Sequence, residues 1–348
     1  MYGKFHNIRM TGVASMIPTK VVENLDLIND SNEKMVKKQI RATGIKRKHY
    51  VSDNQTATDL CTGAASQLLH ELNWNPEDIK VLIYVSSYTQ FVIPSTAFYI
   101  QKKLGIGVDC NVFDMNLSCS GFVAGIETMG SLLQHCGEGG KGLLLVGVTP
   151  SMDADKADEG TVPLFGDGGA AAAFEVKEGH TMYFSQYSDG SRIPALYKPD
   201  ITTPLHMEGM EVFNFTISDV ADSINDFFAH YHLKREELDY CFLHQAQKFI
   251  LNKLVDFCDL PEQKCPICYE EFGNTGAVSI PANMCYHADE IDFKKKNRLF
   301  LSGFGAGLSW GNLWMETEDL LVLPVIYSDE KLVKEDWEKE KEDVGESS

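Results

Sequence analysis

Three residues of this chain combine a reactive type with surroundings that could put it to work. Cys119 follows the strand-like run Asn111–Leu117 and precedes a segment in which Phe122, Ile126, Met129 and Leu133 recur at helical spacing. It therefore stands at the N-terminus of a helix, where free amides and the helix dipole favour a thiolate. A thiolate is a good nucleophile and a good leaving group, so the chemistry on offer is acyl transfer through a thioester. Gly121, Gly125 and Gly130 each cost that helix roughly 1 kcal/mol, which is intelligible if the helix is buried and closely packed. His244 ends the apolar run Tyr240–Leu243 and opens His-Gln-Ala-Gln before an amphipathic stretch. Carboxyl ends of strands are where α/β proteins gather their ligands. Asn274, in Phe272-Gly-Asn-Thr-Gly-Ala, opens the next helical pattern. Taken singly, each has a plainer reading: a small core cysteine, a structural histidine, an N-cap asparagine.

The elements that must position these residues alternate. Strand-like runs at Val81–Ser86, Leu143–Val146, Tyr240–Leu243 and Leu299–Ser302 are interleaved with helical patterns. The helical patterns lie over Thr58–Leu72, Ser95–Leu104, Gly121–Leu133, Asp219–Tyr231, Gln247–Phe257 and Ile280–Ala288. Short apolar strands between amphipathic helices predict an α/β protein with sheets covered on both faces. Gly166-Asp-Gly-Gly and the alanines after it predict a tight turn into a buried strand that needs small side chains. The pattern also repeats. Ile79 in Pro76–Tyr84 is answered by Leu238 in Arg235–Leu243. The Cys119 turn is answered by the Asn274 turn, and Gly147 by Gly303. Three echoes in one order at nearly one spacing indicate a duplicated half of roughly 155–160 residues. The expected organisation is an N-terminal half over 1–175 carrying the cysteine, a C-terminal half over 176–328 carrying the histidine and asparagine, and a charged tail over 329–348 read as a solvated helix or disordered end.

Composition removes several function classes. Among 348 residues, 31 basic against 50 acidic side chains give a net charge of −19, which repels nucleic acid and anionic lipid. No run approaches the ~18–20 apolar residues of a membrane span, and the first residues lack the apolar core of a signal peptide. Nine cysteines without such a signal predict reduced thiols and a cytoplasmic location. Cys265-Pro-Ile-Cys268 mimics the start of a zinc module, and Cys258, Cys285 and His287 could complete four ligands on paper. The Gly273-Asn-Thr-Gly motif interrupts them, so no metal site is expected. Gly137–Gly142 and Gly303–Gly307 lack the spacings of nucleotide loops and are read as turns.

Five motifs then act together: Asn116-Leu-Ser-Cys-Ser-Gly-Phe, Leu164-Phe-Gly-Asp-Gly-Gly-Ala, Phe242-Leu-His-Gln-Ala, Phe272-Gly-Asn-Thr-Gly-Ala and Gly303-Phe-Gly-Ala-Gly-Leu-Ser-Trp-Gly. In order and spacing this set strongly resembles the β-ketoacyl-acyl-carrier-protein synthase III family, a branch of the thiolase fold, from about residue 3 to about residue 315. The resemblance implies a duplicated five-layered αβαβα core and a homodimer. It makes Cys119 the nucleophile, with His244 and Asn274 completing a triad, and gives the oxyanion hole to the backbone amides of Cys119 and Ala306. It implies that an acyl group passes from a thioester to Cys119. A malonyl-type thioester then loses carbon dioxide, its enolate is held by His244 and Asn274, and the carbanion attacks the acyl-cysteine. No metal and no redox cofactor enter; the substrates are phosphopantetheine-linked thioesters on coenzyme A or an acyl carrier protein. Ile93, in Gln90-Phe-Val-Ile-Pro-Ser, is expected to floor the partner protomer's acyl pocket. Phe304, Gly305 and Lys248 are assigned with it to substrate binding.

The chain departs from the family at the tunnel mouth. Relatives that accept acyl-coenzyme A carry Trp-Ile-x-x-Arg-Thr-Gly-Ile, and an Arg in Asp-Arg-Gly-Thr. Here Lys38 and Ala42 hold the first Trp and Arg positions, with Arg41 one residue away, and Glu159 holds the second Arg position. A carboxylate facing a nucleotide phosphate repels it, so a carrier-borne donor is expected. Lys248, Lys253 and Lys294–Lys296 are the candidate cations for docking an acidic carrier. Two other readings keep the fold: acyl transfer to an alcohol or amine without condensation, and a non-catalytic partner subunit of a condensing heterodimer. The intact Asn274 speaks against the first and the presence of Cys119 against the second.

Overall fold

Two long strands organise the protein. In the computed structural model, which describes residues 1–28, 32–152, 161–200 and 203–333, strand β1 (Tyr2–Ile17) opens the chain. Helices α1 (Glu33–Thr43) and α2 (Ala57–Glu71) follow. Next come β2 (Ile79–Val85), α3 (Thr96–Leu104), β3 (Asn111–Met115), α4 (Gly121–Leu133) and β4 (Lys141–Val148). The second long strand is β5 (Gly168–Ser188). Helices α5 (Gly209–Phe215) and α6 (Ala221–His230) lead to β6 (Tyr240–Leu243). The chain closes with α7 (Lys248–Phe257), α8 (Ser279–Tyr286), β7 (Asn297–Gly305) and β8 (Ser309–Thr317).

β1 and β5 pair antiparallel along nearly their whole length. The first part of β5 continues a sheet in which β3, β2 and β4 are parallel and β4 runs antiparallel to β5. The last part of β5 continues the same pattern through β8 and β7 to β6. The repeat seen in the sequence is therefore topological: a 3-10 turn precedes β2 and another precedes β6, and each strand pairs in parallel with the strand of its own half that carries an echoed glycine, Gly147 or Gly303, near its end. The division between residues 175 and 176 falls inside β5, which serves both halves.

The strands are buried almost throughout, and alternate side chains meet different helical layers. Leu143 and Leu145 pack with Leu60, Leu68 and Ile100 of α2 and α3. Leu144 and Val146 face Phe122 and Ile126 of α4 and Met284 of α8. In the second half Phe242 and Leu301 share that middle cluster, while Cys241, Phe300 and Trp314 face Ile224, Phe228 and Leu254 of α6 and α7. The order is helix, sheet, helix pair, sheet, helix: the five-layered αβαβα core implied by the resemblance. The middle layer explains the glycines of α4. A Cβ at Gly125 would come within 2.6 Å of Leu144, and one at Gly130 within 2.7 Å of the Phe5 ring.

The start of the tail differs from the sequence expectation. Residues 329–333 form no helix and lie against the body: Asp329 accepts from Thr19, Leu332 N–H donates to Asp59 at 2.8 Å, and Lys103 reaches the Val333 carbonyl at 2.6 Å. The rest of the tail, and Glu159, lie outside the described residues. No helix among the described residues is long and apolar enough to cross a membrane.

Candidate active site

Cys119 occupies the turn between β3 and α4, two residues before the first helical residue, and is 8% exposed. β7 comes up against this turn. A Cβ at Gly305 would lie 2.7 Å from the Cys119 Cβ and 3.3 Å from its Sγ, so only glycine lets the strand approach the thiol. Next along β7, the Phe304 ring stands edge-on to His244, with centroids 5.2 Å apart and planes at 84°. Phe304 and Gly305 thus shape the walls around His244 and Cys119. The turn that follows Asn274 closes the group: a Cβ at Gly121 would lie 3.5 Å from the Cβ of Ala277. Three loops, each at the carboxyl end of a strand or the start of a middle-layer helix, so bring Cys119, His244 and Asn274 to one place.

His244 follows β6, its N–H bonded to the Ser302 carbonyl of β7 at 2.8 Å. The side chain is 2% exposed, and burial pushes its pKa down to about 3, so the imidazole is neutral. Nδ1 lies 2.8 Å from Ser279 Oγ. Burial also pushes the Cys119 thiol up, against smaller opposing effects of Ser118 and its own amide. The resting site therefore holds a thiol beside a neutral imidazole. Removing the sulfur from water opposes the thiolate that the helix N-terminus favours, and outweighs the hydrogen bonds to its charge.

Asn274 is clamped by its backbone and oriented by its side chain. Its N–H donates to the Leu164 carbonyl at 2.8 Å, and its carbonyl accepts from Gly166 at 3.1 Å. Oδ1 accepts the Gly276 N–H at 2.9 Å. The cap reading holds and is compatible with the catalytic one: the oxygen caps the turn, and no acceptor among the described residues takes the Nδ2 protons. Gly273, at φ +67, could carry no side chain, because its Cβ would meet the Leu164 carbonyl at 2.7 Å. No acceptor among the described residues takes the N–H of Ala306, nor that of Cys119 apart from its own sulfur. The Ala306 carbonyl accepts from Ser309 Oγ at 2.8 Å, and Ser309 Oγ lies 2.6 Å from Ser120 Oγ. This chain ties the Ala306 turn to the residue after the nucleophile.

The remaining candidates lie apart. Ile93 is 87% exposed on the loop before α3. Lys248 is exposed at the start of α7, its Cβ 2.9 Å from where a Cβ on Gly44 would be. Lys253 is paired with Asp256, Lys295 with Asp292 and Lys296 with Glu316. Lys294–Lys296 precede the start of β7, whereas Gly305 ends it, so that run is at the wrong end of the strand for docking at the thiol. Cys265 packs beside the cluster holding Cys241 and Cys258, while Cys268 belongs to the middle layer with Cys285. The two do not converge, and no group of three metal-ligating side chains occurs among the described residues. Sequence reasoning missed Ser279, Gln245, Ser120 and Ser309. Their only signal was position, inside or immediately beside the motifs that carry the site.

Residues 113–190 match the profile of 3-oxoacyl-[acyl-carrier-protein (ACP)] synthase III, and residues 228–317 match its C-terminal partner profile. A β-ketoacyl-[acyl-carrier-protein] synthase III of Streptococcus agalactiae is 32% identical over 321 residues, covering 88% of this chain and 98% of that protein. One from Campylobacter jejuni is also 32% identical, over 315 residues. The crystal structure of a 3-oxoacyl-(acyl-carrier protein) synthase from Burkholderia xenovorans superposes with a TM-score of 0.89 at 28% identity, covering 94% of this chain and 99% of that one. The fold and site define a thiolase-fold acyltransferase of the condensing class. Within that class, the chain belongs to the 3-oxoacyl-[acyl-carrier-protein] synthase III family.

Proposed function

We propose that this protein joins an acyl group held as a thioester on Cys119 to a malonyl-type thioester, with loss of carbon dioxide, giving a β-ketoacyl thioester. The observation that carries the reading is the pairing of a buried thiol with two neutral donors, the imidazole of His244 and the amide of Asn274. Acylation needs the Cys119 sulfur and the oxyanion donors Cys119 N–H and Ala306 N–H. Decarboxylation develops negative charge on a thioester oxygen, and neutral donors stabilise it without first holding the substrate carboxylate as a cation would. Neither step requires a metal or redox cofactor; the substrates bring phosphopantetheine. The test is intact-mass analysis with acyl donors, followed by carbon dioxide release from a malonyl donor. An acyl adduct that survives Cys119→Ala at full stoichiometry overturns the nucleophile. An acylated protein that releases no carbon dioxide overturns the condensation.

The donor we propose is an acyl group on a carrier protein. α1 presents Lys34, Lys38 and Arg41 to solvent, and its C-terminal Gly44 packs on Lys248 at the start of the helix after His244. In a chain of charge −19 this is a local basic face suited to an acidic carrier. Equal acylation rates from matched acyl-coenzyme A and acyl-carrier donors would defeat the preference. We further propose a homodimer, supported by Val92 and Ile93, which stand almost fully exposed on one loop. Nine free thiols support a reducing, cytoplasmic setting.

A further inference from the structure

A neutral imidazole donates from one nitrogen only, so His244 works as a donor only if its proton is on the nitrogen left open to substrate. Ser279, the first residue of α8, is 1% exposed, and its Oγ is 2.8 Å from His244 Nδ1. The same oxygen accepts the Gln245 N–H at 3.2 Å. With that lone pair engaged, the hydroxyl proton is free to be donated to Nδ1. The competing neighbour is the Gly276 carbonyl, which also lies by the ring. The Ser279 N–H in the turn that starts the helix takes one of that carbonyl's two lone pairs, which weakens it as an acceptor for the ring. Gln245 is held in turn: its Nε2 donates to the Leu243 carbonyl at 2.8 Å and its Oε1 accepts from Cys268 N–H at 3.0 Å. We propose that Ser279 is a positioning residue that sets the tautomer of His244, donating to Nδ1 and so keeping the imidazole proton on Nε2. With the opposite tautomer, Nε2 would face the enolate oxygen with a lone pair and repel it.

This inference rests on the reading of His244 as a donor in decarboxylation. Two measurements test it. In protein labelled with 15N-histidine, with His244 identified by its loss in His244→Ala, the Nε2–H tautomer is expected at pH 7; an Nδ1–H tautomer overturns the proposal. In kinetics, Ser279→Ala is expected to slow malonyl decarboxylation roughly 10–100-fold, by analogy with loss of the hydrogen-bond partner that orients a metal-bound histidine. Acylation of Cys119 should be unchanged, and Ser279→Thr, which keeps the hydroxyl, should recover most of the loss. Unaltered decarboxylation in Ser279→Ala overturns the role, as does equal slowing of both half-reactions. If Ser279→Ala does not fold, the tautomer in the parent protein still decides. A parent protein that decarboxylates nothing while showing the Nε2–H tautomer would defeat the condensing function and leave the hydrogen-bond assignment intact.

Discussion

Burial acts on the sulfur and the imidazole in opposite directions and leaves both uncharged. The Cys119 pKa lies above the ordinary thiol range, so the thiolate fraction grows as pH rises from 6 to 9. Acylation should climb over that window. His244 takes up a proton only near pH 3, so its donor form persists as pH falls from 8 to 5 and decarboxylation should stay flat there. Separate measurement of the two half-reactions checks this; a decarboxylation profile titrating near 6.5 would contradict the buried, neutral imidazole. The division of labour has its own consequence. His244→Ala and Asn274→Ala should each slow decarboxylation on the order of 10²–10³-fold, as for a lost oxyanion donor, while Cys119 still acylates. Decarboxylation at the parent rate in both variants would remove them from that role.

Among the elements, β5 shows tertiary packing overriding local preference. Its opening Gly-Gly-Ala-Ala-Ala-Ala is rich in a strong helix former, yet it forms a central strand whose alanines are almost fully buried. The reason is the closeness of α2: a Cβ on Gly169 would lie 2.3 Å from the backbone nitrogen of Cys61 and 2.6 Å from the Leu60 carbonyl carbon. Backbone atoms within a helix cannot swing aside. Gly169→Ala should therefore destabilise by about 2 kcal/mol or more, whereas Gly190→Ala, with nothing within 4 Å, should change stability by less than ~0.5 kcal/mol. Denaturant titration of both variants makes the comparison, and equal midpoints would show that α2 yields. β1 had no comparable signal in the sequence, because its first residues are partly exposed and its later ones buried on both faces.

In the whole molecule, the apolar loop holding Val92 and Ile93 is exposed in the isolated chain, which is unfavourable unless a second copy covers it. The expected protein is a dimer in sedimentation, and Ile93→Phe should shift donor preference toward shorter acyl chains. A monomer, or a dimer with unchanged preference, would refute the pocket role. Much of this organisation was legible beforehand. Short continuous apolar runs marked β2, β4, β6 and β7, because both faces of these strands are covered, and the 3.6 periodicity marked the helices that cover them. The motif residues marked Cys119, His244 and Asn274: the first two follow strand-like runs, and the third opens the helical pattern that answers the Cys119 turn in the repeat. What no local pattern carried was the set of contacts between segments distant in the chain. Desolvation that raises the thiol and lowers the imidazole arises from the surrounding layers. The Ser279 hydroxyl reaches His244 across 35 residues. Gly305 admits the strand to a cysteine in the other half. Charge state, tautomer and close approach are properties of assembled neighbours, and only the tertiary structure decided them.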